Sequence, residues 1–182
     1  MTPELIMACT GSSLELAQKY AFFLSATMVE FDISTPVRQA AYLAQIGHES
    51  GGLQWFHELW GPTEAQKRYE PPGDLAMTLG NTMPGDGKRY AGRGPIQITG
   101  RYMYRLIGEK MKLDLESNPA LLGDPETACR SSGAFWQMKN CNVFADAGNF
   151  LGLTKRINGG TNGYTDRLNR WANAKTALHL TV

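Results

Sequence analysis

Apolar residues recur at helical spacing along most of the chain. Leu14, Ala17, Ala21, Leu24, Met28 and Phe31 share one face of a 3.6-residue period, and Ser12 with Glu15 has capping-box spacing ahead of them. This predicts a first helix over roughly residues 13–31. Pro36 opens a second, with Val37, Ala40, Ala41 and Ala44 as its apolar stripe and Gly51-Gly52 as its stop. From Trp55 to Gly100 the period is lost. Thr63 and Gln66 predict one short capped helix, which Pro71-Pro72 ends. The segment "LGNTMPGDGKRYAGRGPIQITG" is rich in turn residues and holds one strand-like piece, Pro95–Thr99. Helical patterns resume at Arg101–Met111, at Pro125–Lys139 behind an Asp124 N-cap, near Phe150–Arg156 and near Asp166–Leu178. The pattern predicts a mainly α fold, with a helical lobe built from both chain ends around an irregular middle. So long an irregular stretch inside a compact domain is where function is expected.

Length and composition narrow this picture. The chain's 182 residues suit one domain, or two small lobes around a shared cleft, and 42% hydrophobic residues support a core. A net charge of +1 argues against a nucleic-acid partner. Cys9, Cys129 and Cys141 are too few and scattered for a disulfide scaffold and include no CxxC pair, so buried, reduced thiols are expected. Met1–Ala17 has neither a basic start nor an apolar core of signal-peptide length, and no run of about 18 apolar residues occurs. Synthesis and folding in the cytoplasm are therefore expected.

The stretch "LAQIGHESGG" carries the first candidate chemistry. Glu49 ends a predicted helix, where unpaired carbonyls amount to about half a negative charge. That setting, with Trp55, Phe56 and Trp60 close in sequence as a desolvating wall, favours the protonated form that a general acid needs. Three other uses of such residues fail. HExxH zinc binding lacks its second histidine, since Gly52 stands there, and no cysteine sits in a nucleophile context. "GDGKR" lacks the phosphate-loop glycine, Thr82 taking its place. No metal or other cofactor is expected. A second carboxylate could come from Glu58, Glu64, Glu70 or Asp74, and spacing alone leaves all four open.

"AQIGHESGGLQWFHE", "KRYAGRGPIQITGRYMY", "NPALLGDPETA" and "INGGTNGYTDR" occur together and in this order. With these motifs the chain resembles glycoside hydrolase family 19, the plant-type chitinases, and within it the endolysin branch of phages and prophages. The resemblance is strongest over residues 36–178 and implies one catalytic domain, residues 1–182, with a lysozyme-like two-lobed α-helical fold, a catalytic cleft and a small irregular or β segment. It implies that Glu49 is the general acid. Glu58, nine residues on, matches the base of bacterial members, with Glu70, near the plant position, as second choice. Thr99 corresponds to the hydroxyl residue that helps hold the attacking water. His48, Tyr90, Gln97, Tyr102 and Asn158 fall at sugar-binding positions, and Arg167 matches an arginine that meets the catalytic carboxylates. By charge alone, Arg167 would keep Glu58 ionised.

Two positions depart from the chitinase pattern. Met103 stands where chitinases commonly carry an asparagine that contacts the acetamido sugar, and Ala91 where plant enzymes often have tyrosine. Both speak against crystalline chitin as the substrate. The expectation is a monomeric endolysin that hydrolyses β-1,4 bonds with inversion, needs no cofactor, nucleic acid or membrane segment, and is released from the cytoplasm to act on the cell wall. A chitinase acting on chitin oligomers and a non-catalytic wall-binding module are the alternatives.

Overall fold

The structure is a computed structural model that describes residues 1–180. Pro3–Thr10 forms α1, started by the Thr2 side chain and closed by left-handed Gly11. Leu14–Glu30 forms α2. Its cap is Ser13, one residue later than the spacing predicted, with its hydroxyl accepting from the Leu16 amide. Pro36–Glu49 forms α3, with Thr35 as cap and proline in the first turn. Short helices follow: α4 (Glu64–Lys67), α5 (Asp74–Leu79) and α6 (Asp86–Arg89). After α7 (Arg101–Met111) and a 3-10 turn at Pro119–Gly123 come α8 (Pro125–Met138), α9 (Cys141–Asp146), α10 (Phe150–Asn158) and α11 (Tyr164–Ala177).

The second predicted helix is the centre of the molecule. Ala40 to Gly47 are buried all round α3, because α1, α9 and α11 pack against it. α2 lies on α8, and Tyr42 of α3 meets Trp136 of α8 edge to face, with its hydroxyl 2.6 Å from that of Ser132. Both chain ends thus build one helical lobe, as the pattern predicted. The residues between Leu53 and Gly123 build the second around α4–α7. All three cysteines are free and buried. No helix among the described residues is long and apolar enough to cross a membrane.

The expected strand over Pro95–Thr99 is absent. Arg93 and Ile98 exchange both backbone hydrogen bonds, at 3.1 and 2.8 Å, and close a four-residue turn. Gly94 (φ 81°) and Gln97 (φ 49°) take left-handed geometry there, which no strand accommodates. Single antiparallel bridges, His57 to Arg93 and Arg93 to Ile98, are what remains of β structure here. The helices α1, α5, α6 and α9 escaped the sequence pattern because, at four to eight residues, each is too short to display a period.

Candidate active site

Glu49 is the last residue of α3, and the chain then turns through three consecutive left-handed residues, Gly51, Gly52 and Leu53. A side chain on Gly52 would put its Cβ 2.8 Å from the Gly11 carbonyl oxygen, so glycine is required by both geometry and space. This turn sends the chain back past Trp55 to Glu58. Glu49, Trp55, His57, Glu58, Leu59 and Gln97 line one open hollow of about 380 Å³.

The two carboxylates are held by unlike partners. Glu49 accepts a 2.5 Å hydrogen bond from the Arg167 guanidinium on one oxygen. Arg167 is fully buried, and it also donates to Gln45 Oε1 at 2.5 Å and to the Asn162 carbonyl at 3.2 Å. Gln45 in turn donates to Thr154 at 2.9 Å. The expectation that Glu49 stands alone against the helix-end charge is corrected: a fixed cation faces its carboxylate and offsets that charge, so the helix end by itself no longer argues for an acid. Glu58 instead accepts from the Gly92 amide at 2.9 Å and from the Gln66 side chain at 3.0 Å. Its own amide donates to the Gly92 carbonyl, so backbone and side chain are anchored on the same residue. The expectation that Arg167 serves Glu58 is corrected: α11 packs on α3 and brings the guanidinium to Glu49.

Of the four carboxylates left open by spacing, only Glu58 lines the hollow with Glu49. Glu64 is exposed and pairs with Lys67. Asp74 starts α5. Glu70 accepts from the amides of Gly85 and Lys88 and so braces the loop before and through α6. Burial first, then the neighbouring Glu58 charge, pushes the Tyr69 phenol above its ordinary value.

Gln97, which lines the hollow, and Thr99 both come from the tight turn after Arg93 and approach Gly92. The Thr99 hydroxyl donates to the Gln97 carbonyl at 3.0 Å, which leaves its lone pairs to accept from a water. A Cβ on Gly92 would lie 2.4 Å from Gln97 Oε1 and 3.1 Å from Thr99 Oγ1. Glu58, Gln97 and Thr99 thus converge on one bare Cα. His48 borders Glu49 in sequence and is fixed by Asp166 at 2.7 Å, which Arg170 also holds. Burial raises the Asp166 carboxyl, but hydrogen bonds from Arg170 and His48 outweigh this and bring it below the usual aspartate value.

Other predicted positions lie elsewhere. Tyr90 is 1% exposed, with its hydroxyl donating to the Glu116 carbonyl, so it supports the second lobe from inside rather than lining the hollow. Tyr102, at the start of α7, and Asn158, at the end of α10, are exposed and outside its walls. Of the expected aromatic wall Trp55 lines the hollow, whereas Phe56 is buried and stacked on Tyr20 at 4.4 Å. Gln66 and Gly92 had no functional signal in the sequence. Gln66 announced itself only as half of a capping box, and Gly92 as a turn glycine. Among the described residues no group of three histidine, cysteine, aspartate or glutamate side chains is arranged to hold a metal ion.

A helical domain with two glutamates lining one open hollow is the arrangement a lysozyme-like glycoside hydrolase needs, and the comparisons with known proteins point to that class. A family model described as chitinase class I matches residues 15–146. A glycosyl hydrolase family 19 domain-containing protein of Haemophilus influenzae is 30% identical over 167 residues, covering 79% of this chain and 82% of its own length. Endochitinase At2g43610 of Arabidopsis thaliana is 38% identical over 122 residues, 66% of this chain but 39% of the plant protein. The chain spans about two fifths of that plant relative. In fold it is similar to chitinase C from Streptomyces griseus, with a TM-score of 0.75 over 100% of this chain and 77% of that one at 21% identity. A bacterial family 19 chitinase gives 0.72 over 98% and 94% at 20% identity. The chain belongs to glycoside hydrolase family 19.

Proposed function

We propose that this family 19 hydrolase is an endolysin that cleaves β-1,4 bonds of bacterial peptidoglycan by single displacement. Glu49 is the acid that protonates the leaving oxygen. Glu58 is the base that activates a water, and Thr99 helps hold that water. The observation that supports the reading is that these two glutamates line one hollow, each held in place by hydrogen bonds; which is acid and which is base follows the family motif, with Glu49 in HESGG and Glu58 nine residues on. Glu58 accepts on one oxygen from the Gly92 amide and on the other from the Gln66 side chain, which fixes where its carboxylate stands. Glu49 keeps its second oxygen, Oε2, without a hydrogen bond among the described residues, available to a substrate. Inversion needs room for that water, with carboxyl groups roughly 6.5–9.5 Å apart.

Crystalline chitin is disfavoured as the substrate by Met103. That side chain is part-buried and packed against the core, where chitinases commonly present an asparagine to the acetamido group. The acting enzyme is taken to be a monomer, made in the cytoplasm and reaching the wall on release. A chitinase acting on chitin oligomers is the second reading, supported by the endochitinase relatives. Digestion of purified peptidoglycan followed by mass spectrometry tests the proposal, since the reducing-end sugar identifies the bond cut. Cleavage of chitin oligomers without any release from peptidoglycan would reverse the order of the two readings.

A further inference from the structure

A second hollow, larger than the one with the two glutamates, lies elsewhere among the described residues. It is an open groove of about 1300 Å³ between residues 83–89 and residues 117–124. Two hydrogen bonds tie these walls together, from Arg89 to the Ser117 carbonyl at 2.8 Å and from Tyr90 to the Glu116 carbonyl at 2.9 Å. Four cations, Lys88, Arg89, Arg93 and Arg101, line it against two carboxylates, Asp86 and Asp124. Those carboxylates are engaged. Asp86 is paired with Arg101 at 2.6 Å, and Asp124 caps α8 by accepting from Thr127 at 3.0 Å. Arg101 is further taken by Glu116 at 3.2 Å. Lys88 is exposed, and its ammonium has no hydrogen bond or ion pair among the described residues. Arg89 spends one donor on a carbonyl. Glu70, behind residues 85–88, and Glu116, beside Arg101, balance much of the total charge, but the exposed Lys88 ammonium and the Arg89 guanidinium stand in the groove without a carboxylate partner among the described residues. Exposed Met83 and Leu121 add apolar edges.

The groove and the glutamate hollow share a wall. His57 lines the hollow, its backbone bridges Arg93 of the groove, and a Cβ on Gly123 beside the groove would touch its ring at 3.5 Å. A polymer lying across the glutamates therefore passes one residue layer from a cationic groove. A neutral aminosugar chain has no use for it. A peptidoglycan strand carries stem peptides with several carboxylates and small apolar side chains, which match both the charge and the apolar edges.

We infer that this groove binds the carboxylate-bearing stem peptide of a strand seated in the glutamate hollow, with Lys88 and Arg89 as the charge-reading residues. The inference rests on the peptidoglycan reading above. The test compares wild type with Lys88→Glu and Lys88→Glu/Arg89→Glu on soluble uncrosslinked glycan strands, before and after an amidase strips their stems. Exposed charge pairs are individually weak, so the double variant is expected to lose about tenfold in kcat/KM on stem-bearing strands and clearly less on stripped ones, which keep only the muramyl lactate carboxylate. Raising the salt should shrink the wild-type preference for stem-bearing strands. Equal losses on both substrates, or none on either, overturn the groove's role while wild-type cleavage of peptidoglycan leaves the substrate reading standing. A wild-type protein that cleaves chitin oligomers and neither glycan overturns the substrate reading itself. As a readout independent of hydrolysis, free stem peptide added to Glu49→Gln should shift the NMR amide signals of Lys88 and Arg89, and peptide with amidated carboxylates should not. Equal shifts from both peptides count against charge reading.

Discussion

Glu49 gives one oxygen to Arg167, whereas Glu58 gives both of its oxygens to N–H donors. Replacing either by glutamine keeps the shape and removes the proton chemistry. Glu49→Gln and Glu58→Gln are each expected to lose about a hundredfold or more in turnover with unchanged circular dichroism. Near-wild-type clearing by a folded Glu49→Gln protein would remove the acid from the mechanism. Glu70→Gln is a different case. Its carboxylate holds the amides of Gly85 and Lys88, so a stability loss of about 1 kcal/mol is expected with chemistry retained. A dead, folded Glu70→Gln enzyme would move the base to that residue. Gln66 links the two kinds of effect. Its Oε1 closes the capping box of α4 by accepting from Thr63, and its Nε2 donates to Glu58. Gln66→Ala should cost about 1 kcal/mol through the cap and also lower kcat, while Thr63→Ala should cost stability with a smaller kcat effect. Equal kcat in both variants would separate Gln66 from the chemistry.

At the scale of elements, the turn after α3 determines whether two glutamates nine residues apart meet at all. Three successive left-handed residues reverse the chain, and Gly52 does so against the Gly11 carbonyl. Gly52→Ala adds a left-handed penalty and a backbone clash, so a loss of about 2 kcal/mol or more is expected. Because the turn also aims Glu58, activity should fall beyond what the unfolded fraction explains. A Gly52→Ala protein with wild-type melting and activity would show the turn to be dispensable.

Across the whole molecule, ion pairs bolt helix to helix. Glu30 on α2 pairs with Arg130 on α8, Arg38 on α3 with Asp146 on α9, and Asp86 on α6 with Arg101 on α7. Hydrogen bonding to Arg130 holds Glu30 below its ordinary 4.5, and Arg38 does the same for Asp146. Burial alone raises Asp86, but Arg101 and the amides of Met83 and Thr82 outweigh it and bring it below 3.8. Each folded value lies below its unfolded one. The stability these groups contribute is therefore complete above about pH 4.5 and is lost as pH falls through the lowered values. Melting temperature should hold steady down to that pH and then drop. Asp86→Asn should melt lower at neutral pH with a shallower acid slope, and an unchanged slope would place the acid sensitivity elsewhere.

The sequence by itself determined the long helices, the start of α3 at Pro36, the caps at Thr63 and Asp124, the buried thiols and the position of Glu49 at a helix end. These follow from local rules: period, proline and glycine placement, and the orphan groups at helix termini. The family motifs added Glu58, Gln97, Thr99 and Arg167 as positions of interest. Tertiary structure alone decided who meets whom. Arg167 is 118 residues from Glu49 and reaches it because α11 packs on α3. Gly92 is 34 residues from Glu58 and anchors it because the second lobe folds back on its own tight turn. Tyr90 went inside, and the strand-like run at Pro95–Thr99 became a turn, because Gly94 and Gln97 entered the left-handed region. Periodicity reports which face of an element is apolar, but it carries no information about which element that face will meet. Where a charge ends up is decided by those meetings, across separations that no local pattern spans.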